Sequence, residues 1–111
     1  MTDEQARRVG LNEALFREVN EEIRGLTSSF GTDEGTMTVV CECGSASCTD
    51  QIEVGIATYE RVRAESRLYI VAHGHVFPEV ESVVEQNEGW EVVRKHEGIP
   101  ADVARETDPR T

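Results

Sequence analysis

Val39-Val40-Cys41-Glu42-Cys43-Gly44-Ser45-Ala46-Ser47-Cys48-Thr49 holds all three cysteines of the chain, in the spacing C-x-C-x4-C. Gly44, Ser45, Ala46 and Ser47 put only small side chains between the second and third, so the backbone can wrap tightly around a point. Met37 to Cys41 is β-branched and apolar, which predicts a strand that delivers Cys41 and Cys43. Residues two apart in an extended chain point to the same side. Both thiols can therefore face one centre while Glu42 points the other way. Converging thiolates suit a soft or borderline metal. Three of them leave a tetrahedral site one donor short, and the natural fourth is an imidazole. Two of the three histidines stand at His73-Gly74-His75, and Gly74 lets the backbone turn back toward the cysteines, which favours His75 over His73. The expected centre is a structural Cys3His zinc site made by Cys41, Cys43, Cys48 and His75. The spacing leaves open three reduced thiols packed as small hydrophobes, or a redox or iron–sulfur role.

Outward from this stretch, Leu11, Leu15, Val19, Ile23 and Leu26 step by four, four, four and three. That period predicts an amphipathic helix from Leu11 to about Leu26, its stripe turned to the core and Arg17, Glu18, Glu21 and Glu22 turned to water. Asn12 can cap its start. Residues 27–36 read as a loop in which Phe30 tucks back onto the helix. Beyond Cys48, a short strand is expected over Thr49–Val54 and a short helix over Ile56–Ala64, with Gly55 a weak start for it. Leu68 to Ala72 is a near-continuous apolar run, which predicts a strand buried on both faces and ending just before His73. Val80–Gln86 and Trp90–Lys95 form a hairpin around Asn87-Glu88-Gly89, with Val80, Ser82 and Val84 on one side. His96, in the charged run Arg94-Lys95-His96-Glu97, is expected to face solvent, and Pro100–Arg105 to make one helical turn.

A chain of 111 residues with 38% apolar and 5% aromatic residues has room for one modest core, to which a metal staple adds folding free energy. The expected fold is a single α+β domain over residues 1–111, with flexible ends at 1–10 and 106–111. Its N-terminal helix packs on a small, mainly antiparallel β-sheet, with a short middle helix and a C-terminal β-hairpin, the whole stapled by zinc. The net charge of −11 repels phosphate backbones and disfavours direct nucleic-acid binding. No apolar run approaches the ~20 residues of a membrane span, and the polar start lacks a secretory h-region. With an odd number of cysteines, these features point to a reducing cytoplasm.

Several short stretches together resemble a group of short, uncharacterised bacterial proteins. They are Asn12-Glu13-Ala14-Leu15-Phe16-Arg17-Glu18-Val19-Asn20, Cys41-Glu42-Cys43 with Cys48-Thr49, Tyr59-Glu60-Arg61-Val62-Arg63, Gly74-His75 with Pro78-Glu79-Val80-Glu81, and Thr107-Asp108-Pro109-Arg110. The group has no established activity, so the resemblance implies only that Gly74-His75 is the patterned histidine. This chain departs from it at Gly55-Ile56, where a Thr or Ser cap is usual.

Four donors would fill a tetrahedral zinc and leave no position for water. Pro78 also prevents a helix that would set Glu79 beside His75 as a base. No nucleophile triad, phosphate loop or dinucleotide fingerprint is present, so an enzyme is not expected. The expected role is a protein-interaction or regulatory accessory module whose acidic surface suits a partner with a basic patch. The alternatives are a thiol–zinc redox sensor that releases its metal on oxidation, and an acidic nucleic-acid mimic.

Overall fold

The computed structural model describes residues 1–110. Helix α1 (Asp3–Ser29) is followed by β1 (Thr36–Val40), β2 (Gln51–Gly55), α2 (Ile56–Arg63), β3 (Leu68–Ala72), β4 (Glu81–Asn87), β5 (Trp90–Lys95) and α3 (Ile99–Glu106). The class is α+β, as expected, but the strands form two sheets rather than one. β1 and β2 pair antiparallel with Val39 opposite Ile52. The other sheet runs β3-β5-β4, all antiparallel, with Ile70 opposite Val92. Val39, Cys41, Val54, Tyr59, Ile70 and Val93 lie in one continuous core between them.

The sequence pattern misplaced the first helix. It starts at Asp3, where Thr2 and Gln5 form a reciprocal capping box, so residues 3–10 are helical rather than loose. At the other end of the chain, Arg110 reaches Glu21 and Glu60; Thr111 lies outside the described residues. The helix also continues past Leu26 through Ser29. More important, the leucine stripe faces outward: Leu15 is 58% exposed and Leu26 61%, and Phe30 is 83% exposed rather than tucked back. The inward face is Ala6, Val9, Gly10, Glu13, Arg17 and Asn20. Small residues win that face because α3 comes close: a Cβ on Gly10 would sit 3.0 Å from Val103 Cγ1. Its three long polar residues are buried because each meets a specific partner, which a count of apolar spacing cannot register.

Those partners form three buried polar knots. Arg17 donates to the carbonyls of Ser66 and Ala104 at 2.6 and 2.8 Å, and its guanidinium lies 4.6 Å from the Tyr69 ring centroid. Asn20 donates to the Val40 carbonyl and to Glu42. Glu13 and Glu81 both accept from the Lys95 ammonium, tying α1 to β4 and β5. Lys95 is therefore 1% exposed although it stands in the charged run from Arg94 to Glu97. His96 is half-buried, with Nε2 2.8 Å from Ser82 Oγ. In the hairpin, Asn87 pairs with Trp90, so the turn is Glu88-Gly89, one residue shorter than read from the sequence. A bulge between Val83 and Glu85 leaves Val84 exposed and breaks the expected alternation with Val80 and Ser82.

The Lys95 knot has a pH signature. Burial pushes the Glu13 carboxyl well above its usual value of 4.5; Glu81 adds to the rise and Lys95 only partly opposes it. The folded chain thus holds this proton more tightly than the unfolded chain. Its contribution is full below about pH 4.5 and is lost as pH rises through the folded pKa. Glu13→Gln keeps the shape and the acceptor for Lys95 but removes the titration. Urea unfolding between about pH 5 and about pH 8 should show the variant gaining on the native chain as pH rises. A constant gap would mean that Glu13 titrates alike in both states.

Candidate metal centre

Leaving β1, the chain runs beside β3: the Glu42 N–H donates to the Ile70 carbonyl at 2.8 Å, and the Ile70 N–H returns a bond to Glu42 Oε1 at 2.9 Å. This extended placement turns Cys41 and Cys43 to one side and Glu42 to the other, as the two-residue period requires. Glu42 does not face water, however. It is fully buried, clasped by Arg63 through bonds of 2.6 and 3.0 Å, with Asn20 at 2.7 Å.

The small-residue loop then closes. Cys48 N–H donates to the Ser45 carbonyl, and Cys41 N–H donates to the Asp50 carbonyl at 2.9 Å. Asn12 of α1 fastens the loop by donating to the Gly44 carbonyl at 2.9 Å. A Cβ at Gly44 would lie 2.5 Å from Val9 Cγ1, so glycine is required here by the approach of α1. On the opposite side, β3 ends in a turn closed by His75 N–H to the Ala72 carbonyl at 3.0 Å. Gly74 takes φ 81° in that turn, a conformation that glycine adopts without strain. The turn swings His75 over the sulfurs and leaves His73 outside, 76% exposed beside Glu91.

One donor atom from each of Cys41, Cys43, Cys48 and His75 lies within 4.8 Å of the others, so the group could hold a metal ion. A metal about 2.3 Å from sulfur and about 2.1 Å from nitrogen, at the tetrahedral angle, sets those donors about 3.6 Å apart. Nδ1 of His75 stands 3.5 Å from Cys41 Sγ and 3.6 Å from Cys48 Sγ. A thiol hydrogen bond would explain one such contact, since the nitrogen has a single lone pair in the ring plane. Two such contacts from separate sulfurs, at 3.5 and 3.6 Å, have the spacing of a shared ion.

The surroundings fit that ion as well. The Ala72 N–H donates to Cys41 Sγ at 3.2 Å, stabilising charge on the sulfur. Burial pushes the Cys41 thiol far up from its ordinary value; the Ala72 bond lowers it, and the neighbouring Cys43 and Cys48 raise it further. Cys43 moves in the same direction, again chiefly through burial. A cation reverses this balance, because a coordinated thiol is deprotonated. Nε2 of His75 lies 3.3 Å from Asp50 Oδ2, which would hold the outer ring N–H and direct Nδ1 inward. Sequence reading missed Asp50. Its only signal is a carboxylate two residues after the last cysteine, and that becomes informative once the loop is closed.

No protein-family model matches the chain, and neither a curated protein nor a solved structure matches it. No helix among the described residues is long and apolar enough to cross a membrane.

Proposed function

We propose that the four donors hold one zinc ion in a structural role, and that the protein serves as an interaction or accessory module for a partner with a basic patch. The 3.5 and 3.6 Å separations of His75 Nδ1 from two sulfurs carry the metal reading. Three thiolates with one imidazole suit zinc, and four protein donors complete its tetrahedron. Such a site contributes folding energy and leaves no position for a reacting water, which favours a scaffold over an enzyme. The charge balance favours the partner. Among the described residues, every basic side chain but Arg7 is engaged within its own chain, as in Arg67 and Arg105 with Glu97 or Arg61 with Glu85. The excess of acidic groups behind the −11 charge is left to face outward.

Elemental analysis of protein purified without a histidine tag tests the metal reading directly. About one zinc per chain is expected, retained through gel filtration. Natively purified protein with well under one equivalent of any metal overturns it.

A further inference from the structure

Apart from Val84, every exposed large apolar side chain among the described residues belongs to α1 or flanks it: Met1, Leu11, Leu15, Val19, Leu26 and Phe30. Leu11, Leu15 and Val19 follow one another at single turns, with Arg8 just before them and Glu22 just after, all on the face opposite the buried one. Leu11, Leu15 and Val19 are 51%, 58% and 37% exposed and form an uninterrupted apolar stripe, which Leu26 and Phe30 carry on beyond Glu22. The length of α1 is about 40 Å. The stripe and its rim can therefore cover about 800 Å² per copy, which is what a stable pair needs.

We propose that α1 is a dimerisation helix that packs antiparallel against α1 of a second copy, about a two-fold axis at Leu15. The pattern is self-complementary about that residue. Leu15 meets itself, and Leu11 and Val19, four residues to either side, meet each other. Arg8 and Glu22, seven residues to either side, bring opposite charges together, and Met1 falls beside the Ser29–Phe30 end of the other copy. Arg8 can turn to this contact: its ion pair with Glu4 is long, at 3.6 Å, and both side chains are exposed. Glu22 makes no ion pair within its chain among the described residues. A parallel arrangement would instead set Arg8 against Arg8 and Glu22 against Glu22, with like charges opposed along the seam. Salt at about 0.15 M screens the repulsion between two chains of charge −11 over about 8 Å. The pairing does not draw on the metal reading, and a dimer of metal-free protein would leave it standing.

Sedimentation equilibrium of the full chain in reductant, from about 5 to about 200 μM, should give twice the chain mass. Leu15→Glu should weaken the pair at least about 100-fold, with helicity by circular dichroism and metal content unchanged. Arg8→Glu should weaken it about tenfold, and adding Glu22→Arg to that variant should restore it. A native chain that stays monomeric throughout overturns the proposal. So does a dimer that survives Leu15→Glu, or a charge-swapped double variant no better than Arg8→Glu alone.

Discussion

Changing Cys41 to serine should strip the chain of the proposed zinc and of most of its stability. Cys41 is 1% exposed and receives the Ala72 N–H, so its sulfur joins the loop to the end of β3. A serine hydroxyl is a poor zinc ligand at neutral pH, and a site with three donors gives up its ion far more readily than one with four. The loss should exceed about 4 kcal/mol, where domains of this kind have about 5–15 in total. Thermal melting should fall by about 15 °C or more, together with the loss of about one zinc by elemental analysis. His75→Ala separates the two accounts of this result. Its side chain is about one-third exposed. In a domain of packed thiols its removal would cost little, within ±0.5 kcal/mol as for other surface changes, at about that scale. As a ligand, His75 should behave like Cys41. A harmless His75→Ala, with metal content unchanged, would remove the centre.

Glu42→Ala should be almost as costly, by a different route. Its two oxygens collect Arg63 twice, Asn20 and the Ile70 N–H, and both Glu42 and Arg63 are essentially unexposed. Removing the carboxylate leaves a buried guanidinium with only the Tyr59 hydroxyl and the Leu68 carbonyl nearby. Breaking a buried pair from one side costs about 3–5 kcal/mol. Glu42→Gln should recover little, because its amide N–H groups would point at the donors of Arg63. Urea unfolding measures the loss, and metal content below the transition distinguishes it from that of Cys41→Ser. The proposed zinc should stay bound in folded Glu42→Ala, since Glu42 faces away from the sulfurs. A penalty under about 1 kcal/mol would show that Arg63 finds water or another acceptor.

The contrast between the two neighbours marks how far one-dimensional patterns reach. Cys41, Cys43 and Cys48 declare themselves by residue type and spacing, and Gly74 signals a turn that brings His75 back. β3 is evident from its unbroken apolar run, and the weak start of α2 follows from Gly55, which caps without a side-chain bond. These are local properties, set by ligand chemistry, backbone freedom and strand preference within a few residues. By contrast, α1 turned the other way from its own periodicity. Its leucines are at ideal spacing for burial, yet Glu13, Arg17 and Asn20 hold the inner face. Their partners, Lys95, Ser66 and Val40, lie as far as 82 residues away along the chain.

A polar side chain is buried only when its hydrogen bonds are made good, and whether they are depends on groups that folding brings near. The donor set and the elements that carry it were therefore written in the residues themselves. The split into two sheets, the burial of Glu42 and Lys95, the part played by Asp50 and the outward leucine face arose from contacts between distant segments. A free energy of desolvation met by a distant partner has no local trace, whereas a ligand, a turn and a strand each do.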